Sequence, residues 1–282
     1  MPSDSEIDRL TELMSDGGVV VLSGAGLSTE SGIPDYRGET GARRPGQPMT
    51  FQTFTRDADG RRRYWARSYL GWRTVARAAP NAGHAAVTAL QDVDLVGGII
   101  TQNVDGLHQA SGARSVIELH GNLARVVCLG CGDSMERAEL DRRLKEANPT
   151  FDAEIAAINP DGDVDISDAD LDGFHVVGCG VCAGGVLKPD VVFFGETVPR
   201  SRVDACFDLV ESARALLVLG SSLTVMSGRR FVLRALKHGI PVAIVNRGAT
   251  RESDRADLVI DASLGAVLPA VAERCAALPT AA

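Results

Sequence analysis

Long apolar runs are missing from this chain of 282 residues; no stretch approaches the ~20 residues a helix needs to span a bilayer. Lysine is scarce, with Lys145, Lys188 and Lys237 the only examples, so positive charge comes almost wholly from arginine. The formal net charge of −8 argues against a nucleic-acid-binding body. One local basic patch, Arg61, Arg62, Arg63 and Arg67, reads as a solvated helix face. The N-terminal MPSDSEIDRL has neither an apolar signal core nor an Arg-rich transit pattern, so the expected compartment is the cytoplasm. Internal repeats and low-complexity tracts are absent as well.

Hydrophobic residues make up 45% and charged residues 23%, the balance of a globular protein that can bury a large core. Short apolar runs end in small or polar residues, as buried parallel strands do: Val19–Leu22, Leu95–Ile100, Ala215–Leu219, Val242–Val245 and Leu258–Ile260. Helix-like segments alternate with them: Glu6–Met14, His84–Leu90, Ser201–Ser212, Arg229–His238 and Ala266–Ala276. The alternation predicts an α/β fold, a doubly wound parallel sheet with ligands at the carboxyl ends of its strands. Two stretches break it. Glu39 to Pro80 has few strand signals and carries Tyr64, Trp65, Tyr69 and Trp72 at helical spacing. Arg125 to Gly185 holds four of the six cysteines, with an Asp-, Pro- and Gly-rich segment from Asn148 to Phe174. A smaller domain built from two insertions, 39–80 and 125–185, is therefore expected within a larger one formed by 1–38, 81–124 and 186–282.

The cysteines carry the strongest chemical signal. Cys128/Cys131 and Cys179/Cys182 are two C-x-x-C pairs, a spacing that lets each pair grip one metal from a single turn. The 47 residues between them (132–178) make a long-range clip. Four thiolates predict one closed, structural Zn²⁺ site, and such pairs suit metal in a reducing compartment better than disulfides. Cys206 and Cys275 read as buried or incidental thiols.

Gly24-Ala25-Gly26 follows the first strand, with Ser28 and Thr29 just beyond. Glycines there permit close approach of a pyrophosphate, or simply a tight turn; the third glycine of a dinucleotide fingerprint is replaced by Thr29. No acidic residue ends a second strand at the usual distance, and Asn246 is the candidate for a ribose contact instead. TQNVDGLH (Thr101–His108) begins where another strand ends, so Gln102, Asn103 and Asp105 suit hydrogen bonds to a carboxamide and ribose hydroxyls. His120, before the flexible Gly121, is the histidine with an informative neighbourhood; His84, His108, His175 and His238 read as structural or surface residues. In KPDVVFFGE (Lys188–Glu196), Val191, Val192, Phe193 and Phe194 are too apolar for a surface loop. They form either a plain buried strand or an edge that accepts a peptide strand.

Taken together, GAGLSTESGIPDYRG (Gly24–Gly38), TQNVDGLH, ELHG (Glu118–Gly121), the two cysteine pairs, KPDVVFFGE and GSSL (Gly220–Leu223) resemble the sirtuin family, NAD-dependent protein deacylases, from about Val19 to Pro269. The YWAR and GW segments and the NPT…NPDGDV insertion look like its class II branch. The resemblance implies a Rossmann-like NAD-binding domain beside a zinc-ribbon and helical domain. NAD would rest its pyrophosphate on Gly24–Gly26, Gly220 and Ser221, with Ser28 and Thr29 nearby. Ser222, Asn246, Arg247, Gly248 and Leu264 would serve the adenosine half. Asp35, Tyr36 and Arg37 would close over the nicotinamide ribose, and Ile33, Pro34, Gln102, Asn103 and Asp105 would line the carboxamide pocket.

His120 would act as general base on a ribose hydroxyl, assisted by Asn103 and Asp105, after the acyl-lysine oxygen has displaced nicotinamide. Val191, Val192 and Phe193 would contact the acyl-lysine chain, while Gly195 and Glu196 offer backbone to the peptide. The products would be free lysine and O-acyl-ADP-ribose, with long or branched acyl groups tolerated. Acyl-lysine proteins or peptides are the implied partners of a monomer that takes neither nucleic acid nor membrane. Two departures stand out: Leu264 in DASLG, and no proline in GSSLTVMSG. Alternative readings are a protein mono-ADP-ribosyltransferase and a non-catalytic, NAD-sensing zinc-ribbon module.

Overall fold

The structure is a computed structural model, and it describes residues 2–36, 48–153, 155, 157–159, 161–167, 171 and 173–277. The chain runs through α1 (Asp4–Met14), β1 (Val19–Ser23), α2 (Phe51–Arg56), α3 (Ala58–Val75), α4 (Ala82–Asp92) and β2 (Val96–Thr101). It continues with α5 (Leu107–Ala110), β3 (Val116–Glu118), β4 (Gly121–Cys128), β5 (Ser134–Glu136), α6 (Arg137–Ala147), β6 (Ala157–Ile158) and β7 (Val164–Asp165). The last third adds β8 (Leu187–Val191), α7 (Arg200–Glu211), β9 (Ala215–Leu219), α8 (Met226–Lys237), β10 (Val242–Val245), β11 (Leu258–Ile260) and α9 (Leu264–Ala276).

Six strands form one parallel sheet in the order β11-β10-β9-β1-β2-β3. Side-chain alternation explains its two helical layers. Val19 and Val21 pack with α1, α4 and α9, while Val20 and Leu22 pack with α7 and α8. Leu217 and Leu219 face the first layer, and Leu216 and Val218 face the second. The doubly wound sheet expected from the sequence is present, with each of the five predicted strands within one residue of its observed bounds. From β1 the chain moves outward to β2 and β3, then returns to build β9 on the other side. That reversal opens a crevice at the strand ends, where such sheets bind ligands.

A second core lies beside the sheet. There β5-β4-β8 form an antiparallel sheet on which α2, α3 and α6 pack through Phe54, Tyr64, Trp65, Leu140 and Leu144. This sheet was not legible as strands in the sequence, because β4 finds its partner β8 some sixty residues later, as in Cys128 opposite Leu187. Of the arginines expected to form a solvated face on α3, Arg63 is exposed, but Arg61, Arg62 and Arg67 turn toward this second core. Arg67 donates to the Val164 carbonyl at 2.7 Å and pairs with Asp165 at 2.8 Å; Arg61 donates to the Phe54 carbonyl and Arg62 to that of Leu171. No helix among the described residues is long and apolar enough to cross a membrane.

Arg137 anchors this second core. Its side chain is fully buried, its guanidinium lies 5.3 Å from the Trp65 ring and 5.2 Å from that of Trp72, and it donates to Ser68 Oγ and to the Ser68 carbonyl. An Arg137→Ala change removes that packing and both hydrogen bonds to Ser68. The expected loss is ~2–4 kcal/mol in urea denaturation. An unchanged unfolding midpoint would show the guanidinium to be dispensable.

Candidate active site

The crevice at the strand ends is a cavity of about 540 Å³ between the parallel sheet and the second core. Its floor is two turns pressed together, backbone on backbone. After β1, Gly24 donates its N–H to the Leu219 carbonyl, and Gly26 donates to Gly220. A Cβ on Gly24 would lie 2.8 Å from the Gly220 oxygen, and one on Gly26 would lie 2.8 Å from Gly220 Cα. Gly220 itself has φ +61° and faces the Leu27 amide at 2.5 Å from where its Cβ would stand. Three glycines are therefore needed for closeness. The turn leads into 3-10 turns (Ala25–Leu27 and Thr29–Ser31) rather than a long α-helix, and two of its N–H groups are already used within the chain. Its aptness for a pyrophosphate rests on close approach more than on a helix terminus.

Gln102, Asn103 and Asp105 follow β2 and face this floor. Asn103 Nδ2 donates to the Gly24 carbonyl and to Ser28 Oγ, both at 3.1 Å. Ser28 donates in turn to Asp105 Oδ2 at 2.7 Å, and the Leu107 amide caps Oδ1 at 2.9 Å. Burial raises the Asp105 pKa against these bonds. Gln102 Nε2 donates to Ser221 Oγ at 2.9 Å, tying the β2 end to the β9 end. The network is preorganised, because each polar group already has a partner before any ligand arrives.

His120 sits between the two cores, one residue before β4. Its Nδ1 is 3.0 Å from the Gln102 carbonyl, which can only accept, so Nδ1 carries the proton in the neutral ring. Nε2 is then a bare lone pair; it lies 2.8 Å from Ser227 Oγ. Burial is the largest influence on this ring and lowers its pKa; the Gln102 carbonyl opposes that effect, and Arg202 and Arg230 add to it. The ring is neutral near pH 7 and can act as a base. Gly121 has φ +85°, which turns the chain directly after it. The His120 carbonyl accepts the Val192 amide at 2.8 Å, joining the base to the KPDVVFFGE segment. His84 and His108 are sealed beneath the floor, with pKa values lowered by burial to about 4 and about 3.

The KPDVVFFGE segment forms the far wall. β8 is an edge strand, and Phe194 continues it through a bridge to Thr50. Lys188 is buried and bridges to Glu196 at 3.0 Å, while Glu196 Oε2 accepts the Phe193 amide at 2.8 Å. This internal clamp holds Val191 and Phe193 toward the cavity, and Phe193 stacks edge-on against Tyr64 at 5.1 Å.

The cavity is lined by Gly24, Ala25, Gly26, Ser28, Ile33, Pro34, Asp35 and Tyr36, by Gln102, Asn103, Asp105 and His120, and by Gly220, Ser221, Ser222, Asn246, Arg247 and Gly248. Val191, Val192, Phe193, Gly195 and Glu196 complete the set. Thr29 and Leu264 do not line it. Thr29 turns its hydroxyl back to the Gly26 carbonyl, and Leu264 is buried in the core at the start of α9. Arg37 lies outside the described residues. Sequence reasoning missed Met49, Val104, Asp161 and Ser227 as lining residues. The missing proline in GSSLTVMSG was the one signal that pointed toward Ser227.

At the other end of β4 and β8, Cys128, Cys131, Cys179 and Cys182 bring their sulfurs within 4.8 Å of one another. Cys128 to Cys182 is 3.6 Å and Cys131 to Cys179 is 3.8 Å. Zn–S bonds of about 2.3 Å in a tetrahedron separate their sulfurs by about 3.8 Å, whereas a disulfide would need ~2.05 Å. Backbone amides of Gly130 and Val181 donate to Cys128 and Cys179 at 3.4 and 3.3 Å, as zinc knuckles do. The donor set fits one structural Zn²⁺.

Comparison with known proteins places these features in context. A profile described as the Sir2 family matches residues 24–227. The NAD-dependent protein deacetylase 1 of Streptomyces coelicolor is 58% identical over 97% of this chain and 91% of its own length. The protein of the same name from Mycobacterium avium is 48% identical over 98% of each. A solved structure of Sir2 with a p53 peptide and NAD+ superposes with a TM-score of 0.76 at 27% identity, covering 95% of this chain and 98% of the other. One of a Sir2 variant with deacetylated p53 peptide and 3'-O-acetyl ADP-ribose gives 0.78 at 28% identity over 95% and 98%.

Proposed function

This chain belongs to the Sir2 family, and from that premise we propose that its crevice binds NAD and an acyl-lysine peptide on opposite sides of His120. The protein is an NAD-dependent protein deacylase that moves the acyl group of a lysine to ADP-ribose and releases nicotinamide. The observation that carries the assignment of roles is His120, its Nδ1 held by the Gln102 carbonyl so that Nε2 is left as the acceptor, between a glycine-built floor and an apolar wall.

NAD supplies an electrophilic ribose carbon when nicotinamide leaves. Asn103, Asp105 and Gln102 orient the nicotinamide and its ribose, with Ile33, Pro34, Asp35 and Tyr36 covering them from the near side. Gly24–Gly26, Gly220 and Ser221 admit the pyrophosphate, and Ser222, Asn246, Arg247 and Gly248 take the adenosine end. Val191, Val192 and Phe193 shield the acyl-lysine from water, which strengthens every charge interaction at the reacting carbon. His120 Nε2 takes the proton of a ribose hydroxyl as that oxygen attacks the captured acyl carbon. We place residues 1–38, 81–124 and 186–282 in the NAD-binding domain, and 39–80 and 125–185 in the small domain. The acidic balance and the inward-turned Arg61, Arg62 and Arg67 support a protein that takes no nucleic acid; we place it in the cytoplasm as a monomer.

The class II insertions favour long or branched acyl groups. Purified protein supplied with NAD and acetyl-, lipoyl- or methylglutaryl-lysine peptides is expected to release nicotinamide with each and to turn over the larger two faster. Silence on every peptide would refute the deacylase reading, and a strong acetyl preference would refute the acyl assignment. NAD bound without turnover would favour the non-catalytic module; ADP-ribose appearing on protein would favour mono-ADP-ribosyl transfer.

A further inference from the structure

The lone pair of His120 does not face empty space. Ser227 Oγ stands 2.8 Å from it, on the first turn of α8. That turn is fixed: Arg229 donates to the Val225 carbonyl at 3.1 Å, and a Cβ on Gly228 would come within 2.5 Å of Gln102 Cδ. Gln102 therefore supports both partners of the ring, its carbonyl holding Nδ1 and its side chain packing against the residue after Ser227. Because Nδ1 already carries the proton, the serine must donate and Nε2 must accept. No proline occurs between Leu223 and Arg229, and Ser227 places a hydroxyl on this first turn of α8.

We propose that Ser227 is a positioning residue for the proposed base: its hydroxyl holds the Nε2 lone pair of His120 in place until a ribose hydroxyl replaces it. This rests on the reading of His120 given above. The serine is chemically a stand-in for the substrate, an aliphatic hydroxyl donating to the same nitrogen. A buried lone pair without a donor costs free energy and lets the ring rotate, so the serine keeps one tautomer and one orientation ready. When the ribose hydroxyl arrives, Ser227 turns its hydrogen away. The ribose O–H bond then breaks, an Nε2–H bond forms, and the positive charge rests on the imidazolium. The serine oxygen, which has two lone pairs, accepts from that new N–H.

The device acts on the base step alone, and nicotinamide departure precedes it. The test uses the full chain, NAD and an acetyl-lysine peptide, with two readouts: exchange of labelled nicotinamide into NAD, and steady-state deacylation. Ser227→Ala is expected to keep exchange and the KM for NAD within about twofold, while kcat for deacylation falls about tenfold or more, as losses of orienting hydrogen bonds do. Ser227→Thr, which retains the hydroxyl, is expected to recover most of that kcat. The inference is overturned if the alanine variant deacylates within about twofold of the parent, if exchange falls in proportion to deacylation, or if threonine recovers nothing. An inactive parent protein would instead sink the deacylase reading itself, so the two failures are separable.

Discussion

His120→Ala should lower kcat for deacylation by ~10²–10⁴-fold, the usual contribution of a positioned general base. Loss of this size is expected without unfolding, because the side chain is held by only two hydrogen bonds and lies at the edge of the cavity. The parent protein should also show an acid limb in its pH–rate profile that lies below the ordinary histidine value of ~6.5. The sign follows from burial, which disfavours the imidazolium and lowers the pKa, helped by Arg202 and Arg230. The neutral, active form thus persists to lower pH, and activity disappears as the pH falls through the depressed value. In the alanine variant that limb should vanish along with most of the rate. A variant that kept its rate, or a parent whose limb sat above the ordinary value, would remove His120 from the base role. Deacylation lost with ADP-ribosyl transfer to protein intact would favour the transferase alternative.

Removing the zinc should have the second large effect, on folding rather than on chemistry. Structural Zn²⁺ contributes ~10–16 kcal/mol of apparent binding free energy to the segment it closes. The four sulfurs join the end of β4 to the start of β8 across a long stretch of sequence. Cys179→Ala is therefore expected to bind no zinc and to lose hydrogen-exchange protection first along β4, β5 and β8. Activity should fall with it, because Val191 and Phe193 hang from the same strand. In the parent protein stripped of zinc, cobalt should restore both activity and protection, since a closed four-thiolate site takes no part in the reaction. A zinc-free protein with full protection and full activity would show the cluster to be unnecessary.

Most of the parallel sheet could be read from the chain because its strands are buried on both faces and appear as unbroken apolar runs. Val19–Leu22 and Ala215–Leu219 are examples, each followed directly by glycine or serine turns. The antiparallel sheet escaped, since Asn122, Arg125 and Cys128 interrupt β4 and its partner lies far away in sequence. Motif residues could be gathered into a cavity by their place at strand ends, yet the tautomer of His120 depends on a carbonyl eighteen residues away. Ser227 lies further still, at 107 residues. Thr29 and Leu264 were drawn in by their positions beside motifs; their side chains instead satisfy the backbone of Gly26 and the core under α9. Local pattern fixes elements. Which atom faces which is decided by pairing between distant segments.

The bond from the Val192 amide to the His120 carbonyl has a consequence for how such an enzyme can diversify. The strand that gauges the side-chain cargo and the residue that moves the proton share one peptide-to-peptide tether. Widening the tunnel by shifting that strand would drag the imidazole off its target, so breadth of cargo must come from trimming side chains or reshaping the opposite wall. Lineages of this architecture should therefore vary their acyl range through the helices and insertions facing Val192, and leave the tethered strand where it is.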